Sequence, residues 1–356
     1  MAHPFGRIRS NQTRGWRKVA SQGITSDGTL IQTDLPRGAA VEGALVVVSG
    51  NANITTTFTS VRSNAASKYV RRIDWLLNGN ITLDSLTGYG AFLAHSFLLQ
   101  KQATSTDPAT FGVGTPAFRT VIPLWRTDPN FVRPKDSVQK TDANIGTNQL
   151  RVQLGNLSDM FVVGAGVANY SGQTVTYSCA VQDYQEAQDA AGHTPIPMYY
   201  WKRTEQLNTI AGSGTGIIFR VNTGNRLRGL IIVPQDATNS EPATTVISRV
   251  RVVRSGDTRY DLSQDLFQPL SLNALLNPAG LGTASLNAND TDSTVFAPIW
   301  IDFVNPNSVA RVCKYSECWP VPANADVQLQ IDASAAGNFR LITIEGIDLH
   351  PTVTKQ

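Results

Sequence analysis

Charged residues are scarce in this chain, 16% of 356 residues, against about 25% in an average soluble protein. Long amphipathic helices draw heavily on Glu and Lys, so the shortage disfavours a helical bundle. Cysteine is nearly absent. Cys179, Cys313 and Cys318 form an odd, sparse set, which argues against a disulfide-stapled secreted scaffold. Cys179 alternates with Val175, Tyr177 and Val181 and reads as a buried thiol, while Cys313 and Cys318 read as a reduced pair. The four histidines, His3, His95, His193 and His350, stand far apart. No HxH, HExxH or CxxC spacing occurs, so a zinc or cupin-type metal site has no support. A GxSxG elbow, a phosphate-binding P-loop and a dinucleotide GxGxxG are all missing. Long apolar runs are missing too. Ala44–Val48 is strand length, too short to cross a bilayer as a helix, and the basic start precedes no apolar stretch of signal-peptide type.

What is present is period-two alternation. Leu150, Val152 and Leu154 share one face and Arg151 and Gln153 the other, and Val327, Leu329 and Ile331 repeat the pattern. Ile73, Trp75 and Leu77 alternate along a strand that ends at Asn78-Gly79, a hairpin-turn dipeptide. Strands of this kind, punctuated by Gly, Asn, Pro and Asp, predict antiparallel sandwiches rather than a parallel α/β sheet.

The strands also recur. Gly28–Val47 aligns without a gap on Gly214–Val233, with an offset of 186 residues at both ends (214 − 28 and 229 − 43). Val70–Asn80 aligns on Ile247–Asp257, offset 177 (247 − 70), placing Asn78-Gly79 on Ser255-Gly256. Thr120–Trp125 answers Thr294–Trp300 with one inserted residue, and Leu150–Leu154 answers Val327–Ile331. Blocks that keep their order while the offset drifts between them indicate a duplication with kept strands and variable loops. A chain of this length suits two domains of roughly 175 residues, each able to bury its own core.

Helix signals are few and duplicated as well. Asp84-Ser85 precedes Leu86, Leu93, Phe97 and Leu98, predicting a helix with an Asp or Ser cap. Asp261 and Ser263 precede Leu266, Leu270 and Leu275, with Pro269 expected to interrupt or restart the helix. Glu186–Gly192 reads as a short junction helix, and loops are expected over 101–117, 131–147 and 278–293. Trp75, Trp125 and Trp300 lie in apolar strand contexts and read as core residues, whereas Trp201 and Trp319 are the candidates for exposure. The domain reading is a basic segment over 1–22, a first sandwich over 23–190 and a second over 191–356.

A net charge of +3 is too small for a general nucleic-acid binder, but its distribution is uneven. Arg7, Arg9, Arg14, Arg17 and Lys18 fall in the first eighteen residues with no acid among them. Such a segment is either a solvated terminus or an arm that contacts phosphates on lipid or nucleic acid. Trp16, beside Arg17 and Lys18, suits a membrane interface. No catalytic residues, cofactor site or metal site emerge, and the chain reads as a non-enzyme without a small-molecule substrate.

Two tandem sandwiches of this size, with a basic arm and no active site, resemble the double jelly-roll major capsid proteins of the adenovirus–tectivirus–corticovirus lineage. The resemblance runs from about Gly23 to Leu349 and rests on duplication, length and strand content. It implies an all-β fold of two tandem eight-stranded antiparallel jelly-roll sandwiches with short flanking helices. It also implies a homotrimeric, pseudo-hexagonal tile of an icosahedral virion shell, assembled in the host cytoplasm beside neighbouring capsomers and minor capsid proteins. For Arg7, Arg9, Arg14, Arg17 and Lys18 it implies an inward-facing arm against an internal membrane or the packaged genome. Two other classes remain open. A two-domain carbohydrate-binding or adhesin protein should carry an export signal, and a jelly-roll glycan hydrolase should cluster acids or histidines.

Overall fold

The alternation seen in sequence becomes alternating burial in space, inward for Leu150, Val152 and Leu154 and inward again for Val327, Leu329 and Ile331. The structure is a computed structural model. It describes residues 14–37, 40–99, 105–127, 139–140, 146–162, 164–184, 199–221, 224–238, 240–276, 297–304, 318–322 and 325–348. Two compact units emerge: Met1–Phe92 with Ala103–Lys202 and Ile347–Gln356, and Leu93–Gln102 with Arg203–Gly346.

Unit 1 begins with β1 (Arg14–Ile24), β2 (Leu30–Asp34), β3 (Ala40–Asn51), β4 (Asn53–Thr56) and β5 (Ser60–Val61). A one-turn helix α1 (Ala65–Lys68) leads into the hairpin of β6 (Val70–Leu77) and β7 (Ile81–Leu86), followed by α2 (Gly88–Leu99). Then come β8 (Ala117–Trp125), β9 (Gln139–Lys140), β10 (Asn148–Leu154), β11 (Phe161–Val162), β12 (Val167–Asn169) and β13 (Val175–Tyr184). One sheet runs β1-β13-β3-β8, with β9 also on β3, and the facing strands run β7-β6-β10-β2. Ala44, Val46, Val48, Tyr177, Cys179, Ile73, Trp75 and Val152 fill the space between them, all at most 2% exposed. Thr33 and Tyr177 hydroxyls meet at 3.0 Å inside this core.

Unit 2 repeats the plan. Its strands are β14 (Tyr199–Ile210), which opens in unit 1, β15 (Gly214–Arg220), β16 (Arg226–Asp236), β17 (Ile247–Arg254) and β18 (Asp257–Ser263). After α3 (Gln264–Leu276) come β19 (Ile299–Asp302), β20 (Trp319–Pro320), β21 (Val327–Ala333) and β22 (Gly337–Asp348). The sheet orders are β19-β16-β22-β14, with β20 on β16, and β15-β21-β17-β18. Leu230, Ile232, Val250, Val252, Ile299, Leu329, Ile331, Phe339 and Leu341 lie in one buried cluster. In each unit the eight main strands interleave in the same order, the double Greek-key wiring of a jelly roll.

Register turns the duplication into geometry. In unit 1 a row of paired residues crosses four strands: Ile31, Val152, Ile73 and Leu86. In unit 2 the matching row is Ile217, Ile331, Val250 and Leu262. Ile31 falls on Ile217 and Ile73 on Val250, as the sequence alignment requires. The last two aligned blocks are each shifted by two residues: Gly43 pairs with Trp125 but Gly229 with Asp302, so Trp300 does not fall on Trp125, and the ladder sets Ile331 against Val152 rather than Leu154. A two-residue slip keeps the inward face, so the alternation alone cannot detect it.

The hairpin turns agree. Asn78 and Gly79 have φ of 51° and 73°, and Ser255 and Gly256 have 48° and 86°. Two consecutive positive φ values are what a two-residue primed turn demands, and Asn-Gly supplies them at least cost.

The helices differ from expectation in detail. Asp84 does not cap α2: it lies in β7, and Thr87 accepts the Gly90 N–H at 3.0 Å instead. Asp261 likewise lies in β18, and α3 runs through Pro269 without a break. Pro269 falls early in the helix, and the carbonyl whose partner it removes belongs to the exposed Asp265. The junction helix over 186–192 lies outside the described residues, as do the loop over 278–293, most of that over 131–147 and residues 101–104 of the first. Cys179 and Cys318 are buried free thiols, and Cys313 lies outside the described residues.

Candidate interaction surface

The basic residues do not all belong to a free arm. Arg7 and Arg9 lie outside the described residues, but Arg14, Arg17 and Lys18 are strand residues of β1. Arg14 pairs with Tyr184, Arg17 with Val181 and Lys18 with Ala180 along β13. Arg17 also places Nη2 2.5 Å from Asp183 Oδ2, a carboxylate only 4% exposed. Residues 14–22, expected in the basic segment, therefore lie in the first sheet. An edge strand with one wet face has little apolar alternation to betray it, and Arg14–Ile24 shows almost none.

Trp16 and Lys18 both stand exposed on the face of this sheet turned away from the core. Across the sheet Trp16 aligns with Gln182, Gly43 and Trp125. A Cβ on Gly43 would meet Trp125 Cε3 at 2.8 Å, so the indole occupies the space that a side chain there would need. Trp16 meets Trp125 edge-on, ring centroids 5.6 Å apart. Unit 2 repeats the device: a Cβ on Gly229 would meet Trp300 Cη2 at 2.4 Å. The two tryptophans are thus outer-face residues rather than core residues, although both lie on the strand the alignment assigned. Trp75 is a core residue, donating from Nε1 to Asn148 at 2.8 Å. Trp201 is 2% exposed, against expectation, and Trp319 is half-buried beneath Arg254.

Several polar groups inside unit 1 pair with one another. Arg126 and Asp84 form an ion pair with no exposed side-chain surface, and Arg126 also donates to the Trp201 carbonyl at 2.9 Å and covers the Trp75 ring at 4.6 Å. Tyr69 and Tyr170 share a 2.5 Å hydrogen bond. Burial, with that bond added, pushes the Tyr69 hydroxyl well above the ordinary range, and burial raises Tyr170 to about 12. Burial raises the Cys179 thiol to about 11, the opposite of what an activated nucleophile requires. Among the described residues no group of three His, Cys, Asp or Glu is placed to hold a metal ion, and no helix is long and apolar enough to cross a membrane.

No family model matches the sequence, and no curated protein matches it. Solved structures do. The STIV major capsid protein, from Sulfolobus turreted icosahedral virus, superposes with TM-score 0.67 at 13% identity, over 95% of this chain and 97% of that one. The major capsid protein of bacteriophage PM2 gives 0.58 at 12%, over 96% and 99%. The PBCV-1 virus capsid gives 0.55 at 11%, over 97% and 96%. The chain has the double jelly-roll fold. Coverage near completeness on both sides means that each double jelly roll aligns as a whole, both units included.

Proposed function

We propose that this chain is the major capsid protein of a tailless icosahedral virus, a structural coat subunit and not an enzyme. The single observation that carries the reading is the pair of jelly rolls joined in one chain, matched over nearly its full length to viral coat subunits. A protomer of two like units suits a shell position with six neighbours, because three copies supply six units. The tile is a homotrimer that meets neighbouring capsomers and minor capsid proteins in a virion assembled in the host cytoplasm. The segment bearing Arg7 and Arg9 faces an anionic interior, either a membrane or the packaged genome. Three groups of features support a binding surface over a reaction site: the inwardly paired ions, the raised Cys179, and apolar rings on an outer sheet face.

Analytical ultracentrifugation of the purified chain tests the reading. Three times the 38.5 kDa chain mass is expected, stable at micromolar concentration. A folded chain that stays monomeric at that concentration overturns it.

A further inference from the structure

The two jelly rolls share strand order, yet their outer faces are finished differently. In unit 2, which takes in the second half of α2, Phe97 stacks on Trp300 with centroids 5.4 Å and planes 14° apart. Trp300 is left 7% exposed. In unit 1 the residue over the equivalent glycine is Trp125, only half-buried, and its ring neighbour Trp16 is 48% exposed. The helices show the converse. From Tyr89 to Leu98, α2 is buried on every side. In the same place after β18, α3 buries Phe267 and Ser271 but leaves Leu266 and Leu270 50% and 51% exposed. Four residues apart, those leucines form one stripe.

We propose that a second copy of this chain docks here, the Leu266–Leu270 stripe of one copy lying against the Trp16–Trp125 face of the next. The inference rests on the coat-tile reading and names its contact. The occupant follows from three observations. The stripe to be buried and the rings to be covered are both on this chain, in different units, and the same kind of cover, an α2 ring on a strand tryptophan, is already formed at Trp300. Charge is complementary: exposed Lys18 shares its face with Trp16, and exposed Asp265 precedes Leu266. More widely, β1 carries Lys18 beyond the Arg17 that pairs with Asp183, while Asp265 opens α3 beyond the Asp257–Arg259 and Asp261–Arg249 pairs of β18. Finally, among the described residues β1 ends the order of its sheet and so does β18, so both edges present backbone groups to a partner. The contact joins two different patches. It is head-to-tail and closes into a ring.

Two experiments decide it. Leu266→Glu with Leu270→Glu alters side chains that are already half exposed, so the circular dichroism spectrum and denaturation midpoint of the separated chain should hold. Sedimentation should show self-association weakened about a hundredfold or more, from the burial of two leucines lost. If the wild-type chain forms trimers and the variant forms them equally well, this contact is wrong while the coat reading stands. If the wild-type chain is itself monomeric, the coat reading fails. The second experiment, with Cys313→Ser in both partners, mixes Lys18→Cys chains with Leu270→Cys chains and adds a short bismaleimide. Cross-linked dimers should form in the mixture and not from either variant alone, and dimers from one variant alone overturn the head-to-tail contact.

Discussion

The indole of Trp125 occupies the place that a side chain on Gly43 would take, with Cε3 2.8 Å from the position of a Cβ. Trp300 does the same to Gly229, where the Ile301 carbonyl adds a backbone obstacle at 2.8 Å. Small-to-large changes in packed sites cost about 1–3 kcal/mol. Gly43→Ala and Gly229→Ala should each lower the unfolding free energy by that much, read as a lower urea midpoint, whereas Gly15→Ala, with nothing within 4 Å, should not through contact. Equal midpoints for Gly43→Ala and the unmodified chain would show that the ring moves aside freely.

The buried Arg126–Asp84 pair makes a different prediction. Removing one member takes a close counter-ion from a charge that has no solvent, at about 3–5 kcal/mol, while replacing both with apolar groups removes the two charges together. Arg126→Met should therefore be more damaging than Arg126→Met combined with Asp84→Leu. A double-mutant cycle by chemical denaturation measures the coupling, and additive effects would mean the pair contributes no specific interaction.

Alkaline pH should loosen the fold. Burial raises Cys179 to about 11 and Tyr170 to about 12, and drives Tyr69 and Tyr177 upward as well. A group with a raised folded pKa holds its proton longer in the native state. Its contribution is complete below the unfolded value and disappears as pH rises through the folded one. Stability should be level up to about pH 9 and fall between about 9 and 12. Denaturation midpoints at intervals across that range check it, and a flat profile would place these groups in water.

Much of this fold was legible in the sequence because duplication samples each strand twice. Ile73 and Val250 occupy one position in the ladder, and the primed turns at Asn78-Gly79 and Ser255-Gly256 close one hairpin. What alternation cannot report is which of two outward faces stays wet. Trp125 and Trp300 looked like core residues because an apolar strand with both faces covered reads as continuous. The Gly-under-Trp pairs were visible only as separate conserved letters in the two halves, since strand neighbours far apart in sequence carry no local signal. Asp84 looked like a helix cap for a similar reason: its partner Arg126 is 42 residues away, beyond any local pattern. β1 was missed because Arg14, Arg17 and Lys18 read as solvated charge, and only the Asp183 carboxylate across the sheet gives one of them a structural partner.

The N-terminal segment separates the two roles assigned to its cations. Residues 2–10 carry Arg7 and Arg9 and precede every described strand, so removing them should leave the denaturation midpoint and the trimer unchanged. If that segment meets an anionic interior, each arginine gives about 1 kcal/mol beside an anionic bilayer at low salt. Binding to vesicles rich in phosphatidylserine should fall on its removal, and the difference should vanish as added salt shortens the screening length. Removing 2–18 is a harsher cut. It takes the pairing of Arg14–Lys18 with β13, exposes that strand's edge, and leaves Asp183 without the guanidinium that reaches it. A nearly buried carboxylate that loses its partner costs about 3–5 kcal/mol, so the longer deletion should unfold at markedly lower urea. Equal midpoints for the two deletions would return residues 14–18 to the arm. Unchanged vesicle binding for the shorter deletion would leave Arg7 and Arg9 with no role at a membrane.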